Sequence, residues 1–203
     1  MNPNDFTIQL SKVPNWKANN YKKLINELDS ILGAPLGDIT LSDLMLPEFQ
    51  HHGIYILQEG NRYKMNVTGN KSYNDYWYVG RAASRSFTER FGSHLSSNMA
   101  GWQNGIFKRI VLILSSCNTL KDFSNLKPKV QQNHLDRAVP VFLDLRLKYV
   151  AFDNYRDAFK RKDAIATAEK DLINQLKPYL NYPTRFAMYH GTKNIVRTGN
   201  NTK

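Results

Sequence analysis

The sequence predicts an α+β domain: a small antiparallel sheet flanked by helices, with an N-terminal helical extension and an inserted helical segment. Two short runs rich in β-forming residues, Gly53 to Leu57 and Tyr76 to Val79, are joined by a polar stretch holding Gly60, Asn61, Gly69, Asn70 and Asn74. Apolar runs linked by turn residues predict an antiparallel pair. Apolar residues at helical spacing, Leu24, Ile25, Leu28, Ile31 and Leu32, predict a helix before that pair, and similar spacing recurs from about Tyr155 to Leu176. The 203 residues, 41% apolar and 22% charged, suffice for one globular domain that buries ~70% of its unfolded surface, or one domain with insertions.

Taken in order, residues 1–18 are polar with Pro3 and Pro14 and read as a loose arm. Asn19 or Asn20 can cap the first helix, and Gly33 with Pro35 stops it. A short helix after Thr40 or Ser42 ends before Pro47. These first fifty residues read as an extension packed on a core spanning residues 51–183. The stretch from Gln58 to Asp75 is a loop or long hairpin. Ser84 or Ser86 caps a helix carrying Phe87, Arg90, Phe91 and His94. Gly105 to Leu114 fits a strand or a buried helix, which periodicity alone does not separate. Leu120 to His134 reads as helix broken at Pro128, and the alternation of Leu143, Leu145, Leu147 and Tyr149 predicts a strand within Val139 to Phe152. The segment 96–137 reads as an insertion, and residues 184–203 as a basic tail, disordered when free.

Composition narrows the function. No apolar run approaches the ~20 residues of a membrane span, and no basic start followed by an apolar stretch marks a signal peptide. The lone Cys117 excludes an internal disulfide and a thiolate zinc cage. Lys plus Arg number 28 against 17 for Asp plus Glu, a net charge of +11, which speaks about partners rather than fold. Basic residues cluster from Arg81 to Arg109 and again from Arg185 to Lys203, a segment with no acid, and aromatics make up 12% of the chain. Together these read as a nucleic-acid footprint, the alternative being a basic but inert surface kept for solubility. Arg81, Arg85, Lys127, Lys129, Arg185, Lys193 and Arg197 are the candidate DNA contacts. Asn125, Gln131, Gln132 and Asn133 add side chains able to pair with base edges.

Arg90 and His94 stand four apart and project from one helix face. Gly53-Ile54-Tyr55, then Tyr78-Val79-Gly80, then Phe87, Arg90 and His94, resemble the signature of the GIY-YIG nuclease superfamily. Downstream, Glu169, Leu172-Ile173, Pro178 and Asn181 are similar to the Glu-x-x-Leu-Ile…Pro…Asn segment of its repair-incision branch. Each piece alone also reads as ordinary core, turn or solvated helix; their shared order carries the resemblance. Tyr55 and Tyr78 stand about twice as far apart as is usual in the family. The span from His94 to Glu169 is also longer than the minimal module, and Arg81 replaces the commoner small or polar residue.

The resemblance implies a GIY-YIG core and a Mg²⁺-dependent endonuclease of double-stranded DNA, of the type II restriction kind, acting as a homodimer on a near-palindromic site. A homing, repair or phage-encoded nicking nuclease and a silent DNA-binding protein are the alternatives. It implies one Mg²⁺ per site, with Mn²⁺ as substitute, held by Glu169. Arg90 would stabilise the phosphate and Asn181 would brace the site. Tyr55, Tyr78 and His94 would share the water-activating role, with the general base among them left open. It implies a cytoplasmic protein of a bacterial or phage-infected cell, with no membrane partner.

Overall fold

The computed structural model describes residues 2, 5–13, 21–67, 75–95, 105–181 and 193–198; at 67, 92–95, 193 and 194 only the backbone is described. The described chain runs β1 (Thr7–Gln9), α1 (Tyr21–Ser30), β2 (Ala34–Pro35), α2 (Leu41–Leu44), β3 (Gly53–Gln58), β4 (Tyr63–Val67), β5 (Tyr76–Ala82), α3 (Phe87–Leu95), α4 (Gly105–Ser115), α5 (Leu120–Ser124), α6 (Pro128–Asp144), β6 (Arg146–Ala151), α7 (Ala158–Leu176) and β7 (Lys193–Arg197). It is an α+β molecule with a five-stranded mixed sheet and a separate two-stranded ribbon. No described helix is long and apolar enough to cross a membrane.

The central sheet has the order β1-β6-β3-β5, with β2 also paired to β6. β3 lies antiparallel to β5, Tyr55 opposite Gly80, and antiparallel to β6, Tyr55 opposite Tyr149. Strand alternation sends Tyr55, Leu57, Leu147 and Tyr149 into one core, which Trp77 joins through a bulge in β5 and to which α4 contributes Phe107, Ile110 and Val111. The opposite face carries Ile54, Ile56, Val79 and Val150 into a second core, covered by Leu24 and Leu28 of α1 and by Ile165, Ala168, Leu172 and Leu176 of α7. The spacing of those four α7 residues is the i, i+3, i+7, i+11 stripe of a helix buried along one side. The helix starts on Asp157, whose side chain accepts from Lys160 N at 2.7 Å. It stops at Lys177, in the left-handed region at φ 45°.

Several expectations are corrected. The N-terminal segment is not a loose arm over 5–13: β1 pairs in parallel with β6, and Phe6, Leu10 and Val13 are buried. The expected antiparallel pair of β3 and β5 is present, but the stretch between them, expected as a loop or long hairpin, holds a strand of its own, β4. β4 pairs with β7, Tyr63 opposite Arg197, so residues 193–197 are a strand rather than a disordered tail. Gly105–Ser115 is helix, its buried Ile106, Phe107, Ile110, Val111 and Leu114 spaced at helical period. The strand expected from Val139 begins only at Arg146, because α6 runs through Pro140 to Asp144. Burial of Ala138, Val141, Phe142 and Leu145 at helical spacing outweighs the ~3 kcal/mol that an interior proline costs a helix.

Candidate active site

β5 is an edge strand, and residues 179–181, just beyond α7, cover part of that edge. Tyr179 N donates to Tyr76 O at 3.2 Å and Leu180 N to Trp77 O at 2.7 Å. Asn181 then grips both main-chain groups of Val79: its Oδ1 accepts from Val79 N at 2.8 Å, and its Nδ2 donates to Val79 O at 2.6 Å. One amide side chain thus stands in for a further residue of paired strand. Just past Val79 a cleft of about 430 Å³ opens, lined by Tyr55, Tyr78, Arg81, Arg85, Arg90 and Glu169 together with Ala82, Ala83 and Ser84.

Two close backbone approaches are built into β3 and β5. A Cβ on Gly80 would come within 2.6 Å of the Tyr55 hydroxyl and of Tyr78 Cε1. Gly80 is therefore needed for the two rings to lie together, their centroids 5.9 Å apart. A Cβ on Gly53 would strike Val150 O and approach the Tyr149 hydroxyl to 2.9 Å; that hydroxyl donates to His51 O at 2.6 Å. Phe87 and Phe91 stack at 4.8 Å and both meet Tyr55 edge-on, at 5.9 and 5.6 Å. Their packing fixes the first turns of α3 against Tyr55, and Ser86 starts that helix with a reciprocal cap: Ser86 N donates to Glu89 Oε2 at 2.7 Å, and Glu89 N to Ser86 Oγ at 3.3 Å. Arg90, one turn in, reaches the cleft with an exposed head.

The electrostatics follow from burial. Tyr55 is 2% exposed, and burial, joined by Tyr78 beside it, pushes its hydroxyl well above the ordinary phenol value. The Arg90 guanidinium opposes that push, and Tyr55 shares hydrogen bonds with both Tyr78 and Arg90. Burial also raises the Glu169 carboxyl, with Arg81 opposing it. Arg81 Nη1 lies 3.2 Å from Glu169 Oε2. The two arrive from different layers, Arg81 from the α7-facing side of β5 and Glu169 from α7 itself. Arg81, the residue after Gly80, is thus the ion-pair partner of the cleft's carboxylate.

Of the residues singled out in the sequence, Tyr55, Tyr78, Arg90 and Glu169 meet at this cleft, with Arg81 and Arg85 on its wall. Asn181 does not line it and acts through Val79. His94 lies on α3, and its side chain is outside the described residues, as is Arg185. Lys127 and Lys129 are exposed near the start of α6, away from the cleft lining. Lys193 and Arg197 belong to β7. Gln131 and Gln132 are committed locally, to Leu126 O at 2.6 Å and Asp136 Oδ1 at 2.8 Å. The sequence shows Arg109 only as the end of a basic cluster, yet on α4 it sits 5.7 Å over the Tyr78 ring and donates to Leu180 O, beside Asn181. These contacts are distant in sequence, so no local pattern marks that role.

Among the described residues no group of three or more His, Cys, Asp or Glu could enclose a metal. The donor set fits a hard divalent cation only in company with a phosphate, because Mg²⁺ takes one or two carboxylates and completes its shell with waters and substrate oxygens. Glu169 is the carboxylate at the cleft able to serve, and a cation there must share it with Arg81 or displace that side chain.

No family model, curated protein or solved structure matches the chain.

Proposed function

We propose that the protein is a Mg²⁺-dependent endonuclease of double-stranded DNA, chemically of the GIY-YIG kind. The observation that carries the reading is the meeting of Tyr55, Tyr78, Arg90 and Glu169 in one cleft, although four different elements supply them. Their residue types match the needs of phosphodiester hydrolysis. Arg90, always charged and fork-shaped, suits the non-bridging oxygens of a phosphate. Arg81 and Arg85 add positive potential along the wall, which draws a polyanion in.

The tyrosine pair handles water. In the absence of substrate Tyr55 is held protonated by burial; its hydroxyl donates to Tyr78 and accepts from Arg90 and from a water, which it orients, so that a proton taken from the water moves on as the Tyr55 proton passes to Tyr78 and the Tyr78 proton to solvent. Water's proton leaves through the pair, Tyr78 being the half-buried member closer to solvent. Arg90 stabilises the pentacovalent phosphorus and any phenolate that forms. A Mg²⁺ on Glu169 would supply Lewis acidity at the phosphate and at the leaving 3′ oxygen. Asn181 holds Val79, and so the strand that presents Tyr78 and Gly80. Cutting both strands calls for two such clefts, and a homodimer on a near-palindromic site is the arrangement we propose.

Supercoiled plasmid incubated with the protein and Mg²⁺, with an EDTA control, tests the reading. Discrete linear bands in Mg²⁺ alone are expected. Open circles alone would make it a nicking enzyme, and bound but uncut supercoils a DNA-binding protein.

A further inference from the structure

A second groove, of about 400 Å³, lies where the β4–β7 ribbon meets α6; Tyr63, Asn133, Asp136, Arg137 and Arg197 line its polar side. The ribbon is a two-stranded sheet of its own. One face packs inward through Met65 and Ile195 onto the core that holds α4. Alternation turns the other face out, where Lys64, Asn66 and Val196 are exposed. No other described strand pairs with it.

Charge and geometry give this surface an occupant. Lys64, Arg137 and Arg197 are exposed cations around the ribbon, and Arg62 at its start is bound to Asp144 at 3.1 Å. Asp136 is the acid in the groove, and Gln132 donates to it at 2.8 Å. A two-stranded antiparallel ribbon fits the ~12 Å major groove of B-form DNA, where Asn and Lys pair with base edges. Leu114 of α4 lines this groove, while Arg109, five residues earlier on that helix, lies over Tyr78 of the cleft. At 1.5 Å per residue the two marks stand about 8 Å apart along the helix axis, within the reach of one bound duplex.

We propose that the β4–β7 ribbon with the Arg137 side of α6 is the surface that grips and reads double-stranded DNA next to the cleft. The inference rests on the nuclease reading and goes beyond it, naming an element that the cutting chemistry does not require. Lys64 meets a phosphate from the outward face, where Asn66 is placed to reach base edges, and Arg197, on the opposite face by the same alternation, meets the flanking phosphates together with Arg137 from the α6 rim.

The test is the salt dependence of binding to a randomised 30-base-pair duplex in EDTA, for the wild type and for Lys64→Ala/Arg137→Ala/Arg197→Ala. Each phosphate contact contributes about 0.9 to the slope of log K against log salt, so the triple variant is expected to lose about 2 to 3 from that slope. A loss below about 1 overturns the proposal. Should the triple variant not fold by circular dichroism, acetylation of Lys64 in the wild type decides: protection by the duplex is expected. Lys64 equally acetylated with and without duplex, or protected only by RNA, overturns the proposal. A wild type that binds no duplex at low salt sinks the nuclease reading along with it. Binding with the slope intact sinks the ribbon alone and leaves the cleft untouched.

Discussion

The cleft at the edge of β5 and the groove beside the ribbon have nearly equal volumes, about 430 and 400 Å³, and are built in opposite ways. The cleft is over-determined. Gly80 leaves no room for a methyl, two phenylalanines pin Tyr55, and Asn181 clamps the strand that presents Tyr78. The groove sets the exposed heads of Asn133, Asp136, Arg137 and Arg197 over a buried apolar base of Leu114, Val141 and Ile195, with no close backbone contact or clamp among the described residues fixing the two arginine heads. Positions that matter to a fraction of an ångström are what bond-breaking requires. Mobile cations over a broad face are enough to hold a polyanion. The two regions should therefore respond differently to substitution.

The largest difference should come from Arg90→Ala, which is expected to slow cleavage ~10²-fold or more while binding to DNA changes little. A near-wild-type rate under single-turnover conditions would take Arg90 out of the site. Gly80→Ala comes next. The added methyl must push the Tyr55 or Tyr78 ring away, at an overpacking cost of about 1–3 kcal/mol, and both stability and cutting should fall together. Melting and cleavage at wild-type values would show that the two phenols need not lie so close. Alanine at Arg197, by contrast, should leave melting unchanged.

Asn181→Leu should be milder. It leaves the Val79 N–H and C=O without their partner, a loss of about 1–3 kcal/mol, or about 2–4 °C in Tm for each kcal/mol in a chain of this size. Cleavage should drop in step, with the affinity for DNA preserved. Equal loss of affinity would place Asn181 on the binding surface instead.

The smallest effect concerns Glu169 and pH. Burial holds its folded-state carboxyl above the ordinary 4.5, with Arg81 opposing. The folded state then binds that proton more tightly than the unfolded chain does. Stability therefore falls as pH rises from about 4.5 through the raised value and is flat beyond it. Glu169→Gln removes this penalty. It should melt above the wild type near about pH 7, and the gap should close toward about pH 4, where the wild type is protonated. Thermal melts across that range check the sign, and a lower-melting variant at neutral pH would mean that the Arg81 pair outweighs burial.

Much of the cleft was legible because its parts sit on elements with strong local patterns. Ile54 and Ile56 flank Tyr55 in a β run, and the Ile165, Ala168, Leu172 and Leu176 stripe marks the helix that presents Glu169. The ion pair of Arg81 was not legible, since a cation after a glycine in a strand says nothing about which helix it will face. β1 was hidden because three residues between two prolines carry too little pattern, and its order comes from pairing with β6, far along the chain. The ribbon was hidden for the same reason: β4 has ordinary strand composition, yet its partner β7 lies near the other end of the sequence. In α6 the Leu143, Leu145, Leu147 and Tyr149 alternation spans a real boundary, and only the burial of Val141 and Phe142 shows where helix gives way to strand.

The joint action of the tyrosine pair and the half-buried carboxylate is tested most directly by single-turnover cleavage of pre-bound plasmid in Mg²⁺ by the wild type, Tyr55→Phe and Glu169→Ala. Both variants are predicted to bind as the wild type does and to cut slower by ~10²-fold or more. Undiminished cutting by either variant would contradict the account.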